Sequence, residues 1–273
     1  MMRRIAQTFT QLAKRQKKAL ITFLMAGDPT AALFARMLAQ LPAAGADIIE
    51  IGMPFSDPMA DGAEIQQASQ RALQQGIHTG QILSLIADFR TTNTTTPIVL
   101  MGYYNPIRHY GLTAFVDRAY AAGVDGLIVV DLPPEEEQAL RPLCQQSGLD
   151  LIRLLSPLTS DQRLQKICRH VSGFLYCISV TGITGGKSAR PEDIKHHIAR
   201  IRAVSDIPVV AGFGIDSAAK AQAIYPAADG IVVGSALVKT IRLGLEQGWS
   251  EEQILSGVIA QVQDLGYART TRS

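Results

Sequence analysis

The fold is decided by the stretch Asp47-Ile-Ile-Glu-Ile-Gly-Met-Pro-Phe-Ser-Asp-Pro-Met-Ala-Asp-Gly62, where an apolar run leads into a loop rich in proline, glycine and acids. Its first six residues predict a short buried strand, because apolar β-branched residues dominate them and Gly-Met-Pro ends them. Glu50 interrupts this strand, and a carboxylate in an apolar run is costly unless it is neutral, paired or used. Asp61 closes the loop, so the two acids are predicted to flank one small molecule.

Strands and helices alternate outward from this stretch in both directions. Each of eight apolar runs is followed by a segment with helical spacing, such as 135–146; the runs are 19–25, 47–52, 98–102, 126–131, 149–155, 173–179, 207–212 and 229–234. A short amphipathic helix over 5–16 is expected to cover one end of the core. Three strands share a lead-in phrase, which is typical of a weakly repetitive barrel: Ala44-Gly-Ala-Asp47, Ala122-Gly-Val-Asp125 and Ala227-Ala-Asp-Gly230.

Eight such units without a linker favour a closed barrel of parallel strands over a doubly wound sheet. We therefore predict an α/β protein in which residues 1–273 form a single (β/α)8 TIM barrel with an extra N-terminal helix. In this fold the chemistry lies at the carboxyl ends of the strands, where Glu50 and Asp61 fall.

The composition points to small metabolites as partners. The net charge is +2 with no long run of one sign, which gives no electrostatic attraction to nucleic acid or a membrane surface. No apolar stretch approaches the roughly 20 residues of a spanning helix. The three cysteines lack metal-ligand spacing and are predicted to be buried reduced thiols, which suggests a cytoplasmic protein.

The first 27 residues resemble a targeting peptide, since they contain no acid, carry several basic residues and then run apolar from 19 to 26. Against this, the apolar run is short, lacks a small-x-small cleavage site and is needed as the first strand. We expect no targeting segment.

Glu50 has two interpretations. It shares a strand face with Ile48, and if that face is the barrel interior, desolvation raises its pKa and lets it exchange a proton near neutrality. The alternative is a structural glutamate paired with a buried Arg or Lys, and the residues alone favour neither. Asp61 by itself is ordinary turn or N-cap chemistry. A calcium loop counted from Asp57 is excluded, because Met59 and Ala68 stand where oxygen ligands belong.

Three glycine-rich segments at later strand ends are candidates for phosphate binding: Thr181-Gly-Ile-Thr-Gly-Gly-Lys187, Gly212-Phe-Gly214 and Gly234-Ser235. The last two follow strands seven and eight, where barrels often bind phosphate at backbone N–H groups. A Walker A loop is rejected because it requires glycine at Thr181, and a dinucleotide fingerprint because it requires glycine at Ser217. The five histidines are scattered, form no triad or metal set, and are expected to be solvated.

Taken together, the chain resembles the tryptophan synthase alpha subunit family over nearly its whole length. The resemblance is carried by Phe23-Leu-Met-Ala-Gly-Asp-Pro29, Glu50-Ile-Gly-Met-Pro-Phe-Ser-Asp-Pro-Met-Ala-Asp-Gly62, Met101-Gly-Tyr-Tyr-Asn-Pro106, Asp131-Leu-Pro-Pro-Glu135, Ser179-Val-Thr-Gly-Ile-Thr-Gly185 and Gly212-Phe-Gly-Ile215.

The resemblance implies cleavage of indole-3-glycerol phosphate to indole and glyceraldehyde 3-phosphate, with no metal or organic cofactor. Glu50 and Asp61 match the two catalytic acids. The implied phosphate positions are Thr184, Gly185, Gly214, Gly234 and Ser235, and the implied walls around the indole are Phe23, Leu100, Leu127, Tyr176 and Phe213.

The resemblance also implies a partner, a beta subunit that consumes the indole within an alpha2beta2 complex. The loops 54–61 and 103–108 are expected at that interface, and 183–189 is expected to be a mobile lid. The chain departs from the family pattern at Ala63, at Val130 and over 154–158, without replacing a chemical group.

Three other functions remain open from the sequence. A free-standing indole-releasing lyase keeps the same residues and needs no partner. A different phosphate-binding barrel, such as a sugar-phosphate isomerase, does not release indole. A non-catalytic barrel that only activates a partner has no need for both acids.

Overall fold

The structure is a computed structural model, and it describes residues 3–178, 190–212 and 214–269. Its strands all pair in parallel. They are β1 (Ala19–Met25), β2 (Ile48–Gly52), β3 (Ile98–Gly102), β4 (Gly126–Val129), β5 (Asp150–Leu151), β6 (Arg153–Leu155), β7 (Leu175–Ile178), β8 (Val209–Gly212) and β9 (Gly230–Val233).

The sheet closes on itself. Its order is β5-β4-β3-β2-β1-β9-β8-β7-β6, so β5 and β6 are the two outermost strands. These two strands are separated in the chain only by Ile152, and together they occupy the predicted run 149–155. A sheet whose two ends are consecutive parts of one segment forms a barrel of eight staves, which confirms the predicted (β/α)8 fold with its additional first helix.

Helices follow the strands around the outside of the barrel. They are α1 (Arg4–Lys14), α2 (Ala31–Ala44), α3 (Ala63–Gln74), α4 (Thr79–Thr92), α5 (Tyr104–Tyr110), α6 (Leu112–Ala122), α7 (Arg141–Ser147), α8 (Asp161–Cys168), α9 (Pro191–Arg202), α10 (Ala218–Ile224), α11 (Ser235–Glu246) and α12 (Glu251–Ala268), with a 3-10 helix over Pro134–Ala139. None of these described helices is both long and apolar enough to cross a membrane.

Two helices differ from the sequence expectation. The predicted helix 135–146 is a 3-10 helix followed by α7, because Pro142 lies in the first turn of α7 and has no N–H to continue the preceding turn. Helix α5 forms where a loop was expected over 103–108. The N–H of Tyr104, the first residue of this helix, donates to the Asp131 carboxylate at 2.7 Å. The helix is therefore capped by a side chain that follows β4 and not by a residue of its own loop.

The barrel interior is apolar at its amino end and is closed there by α1, as the sequence predicts. Alternate strand residues point inward and pack against the buried face of α1; the cluster contains Ile5, Phe9, Leu12, Ala19, Ile21, Ile48, Val99, Ile128, Ile152, Phe174, Val210 and Val232. The rings of Phe9 and Phe174 lie 5.9 Å apart between centroids. Burial of this layer leaves the carboxyl end as the open end of the barrel.

The similar short sequences that precede three of the strands have a structural reason. Asp47, Asp125 and Asp229 each accept a backbone N–H from the neighbouring strand, at 2.8, 2.8 and 2.9 Å. Each carboxylate also pairs with arginine from elsewhere in the chain: Arg269, Arg90 with Arg4, and Arg202, respectively. These aspartates fix the register of neighbouring strands, and thereby the relative positions of the residues at the carboxyl ends of those strands.

A buried ion pair holds the carboxyl end of β1 to α3. Asp28 is fully buried, and its carboxylate accepts two hydrogen bonds from Arg71, at 2.7 and 2.8 Å. Burial raises the Asp28 pKa, and the Arg71 guanidinium partly offsets this effect. Because α3 directly follows the acidic loop, this pair fixes the loop relative to β1.

Replacing Arg71 tests this anchor. Arg71→Ala leaves a buried carboxylate without its cation, and we expect the free energy of unfolding to fall by about 3 kcal/mol at neutral pH. The raised folded-state pKa of Asp28 predicts a smaller loss at acidic pH, where the carboxyl group is neutral in both states. Arg190→Ala, which removes an exposed pair with Asp193, is the control in urea unfolding and should change little. Equal losses in the two variants would contradict the anchor.

A candidate active site at the carboxyl end of the barrel

The carboxyl ends of the strands surround a cavity of about 130 Å³. Residues of β1, β2, β3, β7, β8 and β9 form one part of its wall, and the segments that follow β2, β8 and β9 form the rest. The described lining residues are Phe23, Glu50, Asp61, Ile65, Met101, Tyr176, Gly212, Gly214, Ile215, Val232, Gly234 and Ser235. The two predicted acids therefore lie in one cavity.

Glu50 lies inside the barrel, two residues above Ile48 in the apolar layer. It is 1% exposed, and its Oε2 atom has no hydrogen-bond partner among the residues that the structure describes. Desolvation raises the Glu50 pKa from 4.5 to about 8, and the nearby Asp61 carboxylate adds to the rise. Among the described residues no Arg or Lys is paired with Glu50, so the geometry favours the proton-exchanging interpretation over the structural ion pair.

Asp61 is held by a well-anchored loop. Gln66 donates a hydrogen bond to the Asp61 backbone carbonyl at 2.9 Å, and the buried Ser69 hydroxyl binds both backbone groups of Phe55 at 2.8 and 2.9 Å. Burial raises the Asp61 pKa to about 6, while a hydrogen bond from the Tyr103 hydroxyl opposes the rise. The same hydroxyl accepts the Ala60 N–H at 3.0 Å, which fixes its orientation.

These two pKa values give the acids different charges at neutral pH. Asp61 loses its proton first, near pH 6, and its negative charge then disfavours ionisation of Glu50. At pH 7 the cavity therefore holds an anionic acceptor at Asp61 and a neutral carboxyl donor at Glu50. Acids with separated pKa values in one cavity are typical of a donor and acceptor in proton-transfer chemistry.

Another part of the cavity wall, at the end of β9, is suited to an anion. Gly234 and Ser235 line it where α11 begins, and Gly234 provides no side-chain cap for this helix. The first N–H groups of a helix have no acceptor within the helix, and the helix dipole makes this end positive. Gly214 lies beside it with a φ of +60° and open space around its Cα.

The aromatic walls depend on two close approaches to glycine. A Cβ atom at Gly212 would meet the Tyr176 ring at 2.4 Å, and a Cβ atom at Gly52 would meet the Phe23 ring at 2.6 Å. Both rings therefore lie over bare backbone of the neighbouring strands. The result is a cavity with flat apolar sides between the carboxyl groups and the helix end.

The structure does not bring every predicted residue to the cavity. Leu100 and Leu127 are buried on the outer face of the sheet, beneath the helices, so their assignment as ligand walls is corrected. Because strand residues alternate, the inward positions belong to their neighbours Met101 and Ile128. Thr184, Gly185 and Phe213, like the lid 183–189, lie outside the described residues.

Several residues were missed or misread from the sequence. Ile65, Ile215, Val232 and the Asp61 partner Tyr103 carry no individual sequence signal. His197 was expected to be solvated but is buried, and its Nε2 lies 3.3 Å from the Leu155 carbonyl oxygen. Cys144 and Cys177 are buried and Cys168 is partly buried, all as free thiols.

The geometry defines a class: a (β/α)8 barrel that holds two carboxyl groups of unequal pKa and the start of a helix suited to an anion in one cavity, an arrangement typical of enzymes with proton-transfer chemistry. A family model described as tryptophan synthase alpha chain matches residues 9–268. The chain belongs to this family. It is a lyase that cleaves indole-3-glycerol phosphate to indole and glyceraldehyde 3-phosphate, the alpha reaction in L-tryptophan biosynthesis.

Solved structures agree with this assignment. Tryptophan synthase subunit alpha from Legionella pneumophila str. Paris is 38% identical, with 98% of each chain covered and a TM-score of 0.91. A chain from Aquifex aeolicus VF5 is 36% identical, with 99% of this chain and 100% of that chain covered and a TM-score of 0.89. The aminoacrylate-bound tryptophan synthase from M. tuberculosis is 32% identical, covers 98% of this chain and 100% of that chain, and has a TM-score of 0.87.

The raised Glu50 pKa makes a prediction about stability. Above pH 4.5 the unfolded chain gives up the Glu50 proton more readily than the folded protein, so ionisation of this group destabilises the fold as pH rises toward 8. Glutamine cannot ionise. As pH rises over this range, the free energy of unfolding of Glu50→Gln minus that of the wild type should therefore increase by up to about 1.4 kcal/mol per pH unit. Above about pH 8 the difference should level off.

Urea unfolding at a series of pH values measures this difference. Glu136→Gln, which removes one carboxyl group at an exposed position, is the matched control. A difference between Glu50→Gln and the wild type that is constant with pH would mean that Glu50 ionises normally in the folded protein.

Proposed function

We propose that Glu50 and Asp61 carry the cleavage reaction through their opposite protonation states at neutral pH. The observation that supports this most strongly is the neutral carboxyl group of Glu50, whose Oε2 atom has no partner among the described residues, in the same cavity as an anionic Asp61. A retro-aldol cleavage needs a proton donor at indole C3 and a group that balances the positive charge this creates. The two acids supply one of each.

We place the substrate across the barrel. Its phosphate lies at the start of α11, at Gly234 and Ser235, with Gly214 beside it and with Thr184 and Gly185 completing the anion site. The indole ring lies between Phe23 and Tyr176, with Met101 and Phe213 as further walls and its N–H facing Asp61. Backbone N–H groups at a helix start suit a dianionic phosphate without a paired cation.

The proposed reaction has two proton transfers. The Glu50 carboxyl group first donates its proton to C3, which leaves a positive charge on the ring nitrogen that the Asp61 carboxylate stabilises. The Glu50 carboxylate then accepts the proton of the side-chain hydroxyl as the carbon–carbon bond breaks. The bond electrons return to the ring to give neutral indole, the hydroxyl carbon becomes the aldehyde, and Glu50 is protonated again. Each role is worth about 10²- to 10⁴-fold in rate.

We also propose that the carboxyl end of the barrel docks on a beta subunit in an alpha2beta2 complex, within the cytoplasm and with residues 1–273 acting as one domain. The similarity to chains of tryptophan synthase structures from M. tuberculosis supports a partnership with a beta subunit in general. The surface around the cavity carries exposed apolar side chains, with Met59 77% and Leu158 78% exposed. The loop 54–61 and helix α5 lie at the same end. Docking there keeps released indole out of water.

Substitution of the two acids tests the reaction scheme. Glu50→Gln should lower kcat for indole release by about 10³-fold or more, because the amide cannot donate the proton. Asp61→Asn should lower it by about 10²- to 10⁴-fold, because the charge is lost. Affinity for an analogue that lacks the reacting hydroxyl should remain within about threefold for Glu50→Gln. Wild-type turnover by Glu50→Gln would remove Glu50 from its role.

The partner proposal predicts a change in rate. Adding a tryptophan synthase beta subunit should raise the rate of indole-3-glycerol phosphate cleavage and yield a co-eluting complex. Leu158→Asp should weaken this complex, whereas Tyr120→Asp, at an exposed ring near the amino end of the barrel, should not. An enzyme that is fully active alone and unaffected by the beta subunit would instead be a free-standing indole-releasing lyase.

A further inference from the structure

A second, smaller cavity adjoins the site. It has a volume of about 10 Å³, enough for one group the size of a water molecule or a methyl group. Phe23, Asp61 and Met101 border both cavities, so the two spaces adjoin along these residues. Met25, Met53 and Val130 are among the residues that line the small cavity but not the larger one.

The small cavity lies on the far side of the barrel from the anion site. Counting along the sheet from β9 through β1, β2 and β3, strand β4 is the fourth stave, and in a barrel of eight it stands opposite β9. The start of α11 follows β9, and Val130 directly follows β4. A ligand with its phosphate at α11 and its ring N–H at Asp61 therefore directs the far edge of its ring toward Val130.

The walls of the small cavity are apolar and adaptable. Met25 and Met53 are buried, and Met101 is partly buried at the border with the larger cavity. Thioether side chains are flexible and polarisable, so they rearrange around an added apolar group at low cost. Gly102 allows Met53 to pack directly on the strand, since a Cβ atom there would meet the Met53 Cβ at 3.1 Å.

We propose that this cavity is a substituent subsite, through which the enzyme accepts indole-3-glycerol phosphates that carry one small apolar group at ring position 6. The inference rests on the proposed substrate orientation. Position 6 is the ring carbon farthest from C3, which bears the glycerol phosphate, whereas position 4 is adjacent to that chain and faces away from the small cavity. The same bond breaks, and the products are 6-methylindole and glyceraldehyde 3-phosphate.

Kinetics with three substrates test the subsite. For the wild-type enzyme, kcat/KM for 6-methylindole-3-glycerol phosphate should lie within about threefold of that for the unsubstituted substrate, and the value for the 4-methyl isomer should be at least about tenfold lower. Val130→Ile adds one methylene at the small cavity. It should lower kcat/KM for the 6-methyl substrate about tenfold and change that for the unsubstituted one by less than about twofold.

The matched control is Val232→Ile, which adds the same methylene to the larger cavity and should lower kcat/KM for both substrates. Rejection of the 6-methyl substrate by an enzyme that cleaves the unsubstituted one overturns the subsite but leaves the proposed function intact. Equal losses on both substrates in Val130→Ile also overturn it. Absence of cleavage of the unsubstituted substrate overturns both proposals.

Discussion

The removal of the Glu50 carboxyl group from water is the constraint on which the site depends. Beneath it lies the apolar layer that contains Ile48 and Phe174, and above it lies the cavity. An ionised carboxylate is unfavourable in this position, so Glu50 keeps its proton at neutral pH, and Asp61 reinforces the effect once it is charged. A carboxyl group of ordinary acidity becomes a proton donor at pH 7 because of where the strand places it.

The rest of the barrel keeps this arrangement in register. The aspartates at the amino ends of the staves bind the neighbouring backbone, and α1 seals the bottom of the barrel. At the other end, Ser69, Gln66 and Tyr103 hold the acidic loop so that Asp61 shares a cavity with Glu50. The two acids differ first because Glu50 is fully buried whereas Asp61 is only partly buried. In addition, Asp61 has a hydrogen-bond donor in Tyr103, whereas the Glu50 Oε2 atom has no partner among the described residues.

The sequence was enough to predict the barrel and to locate Glu50 and Asp61 at the carboxyl end of its strands, because these features depend on local patterns, whereas the catalytic roles of the two acids are implied only by the family resemblance. Apolar runs alternate with helical spacing through the whole chain, and Glu50 stands out in a run that is otherwise apolar. The prediction that Leu100 and Leu127 face the ligand was wrong. Strands β3 and β4 are apolar on both faces, so their sequence does not show that Met101 and Ile128 are the residues that point into the barrel. Helix α5 and the Tyr103 contact with Asp61 depend on partners distant in sequence, which no local pattern reports.

The central claim is that Glu50 is protonated in the folded enzyme at neutral pH. Carbon-13 NMR of protein labelled at the glutamate side-chain carboxyl carbons measures this directly, with Glu50→Gln to assign the resonance. We predict a Glu50 signal that titrates with a pKa of about 8. A Glu50 signal that titrates near the ordinary value of 4.5, so that the group is a carboxylate at pH 7, would contradict it.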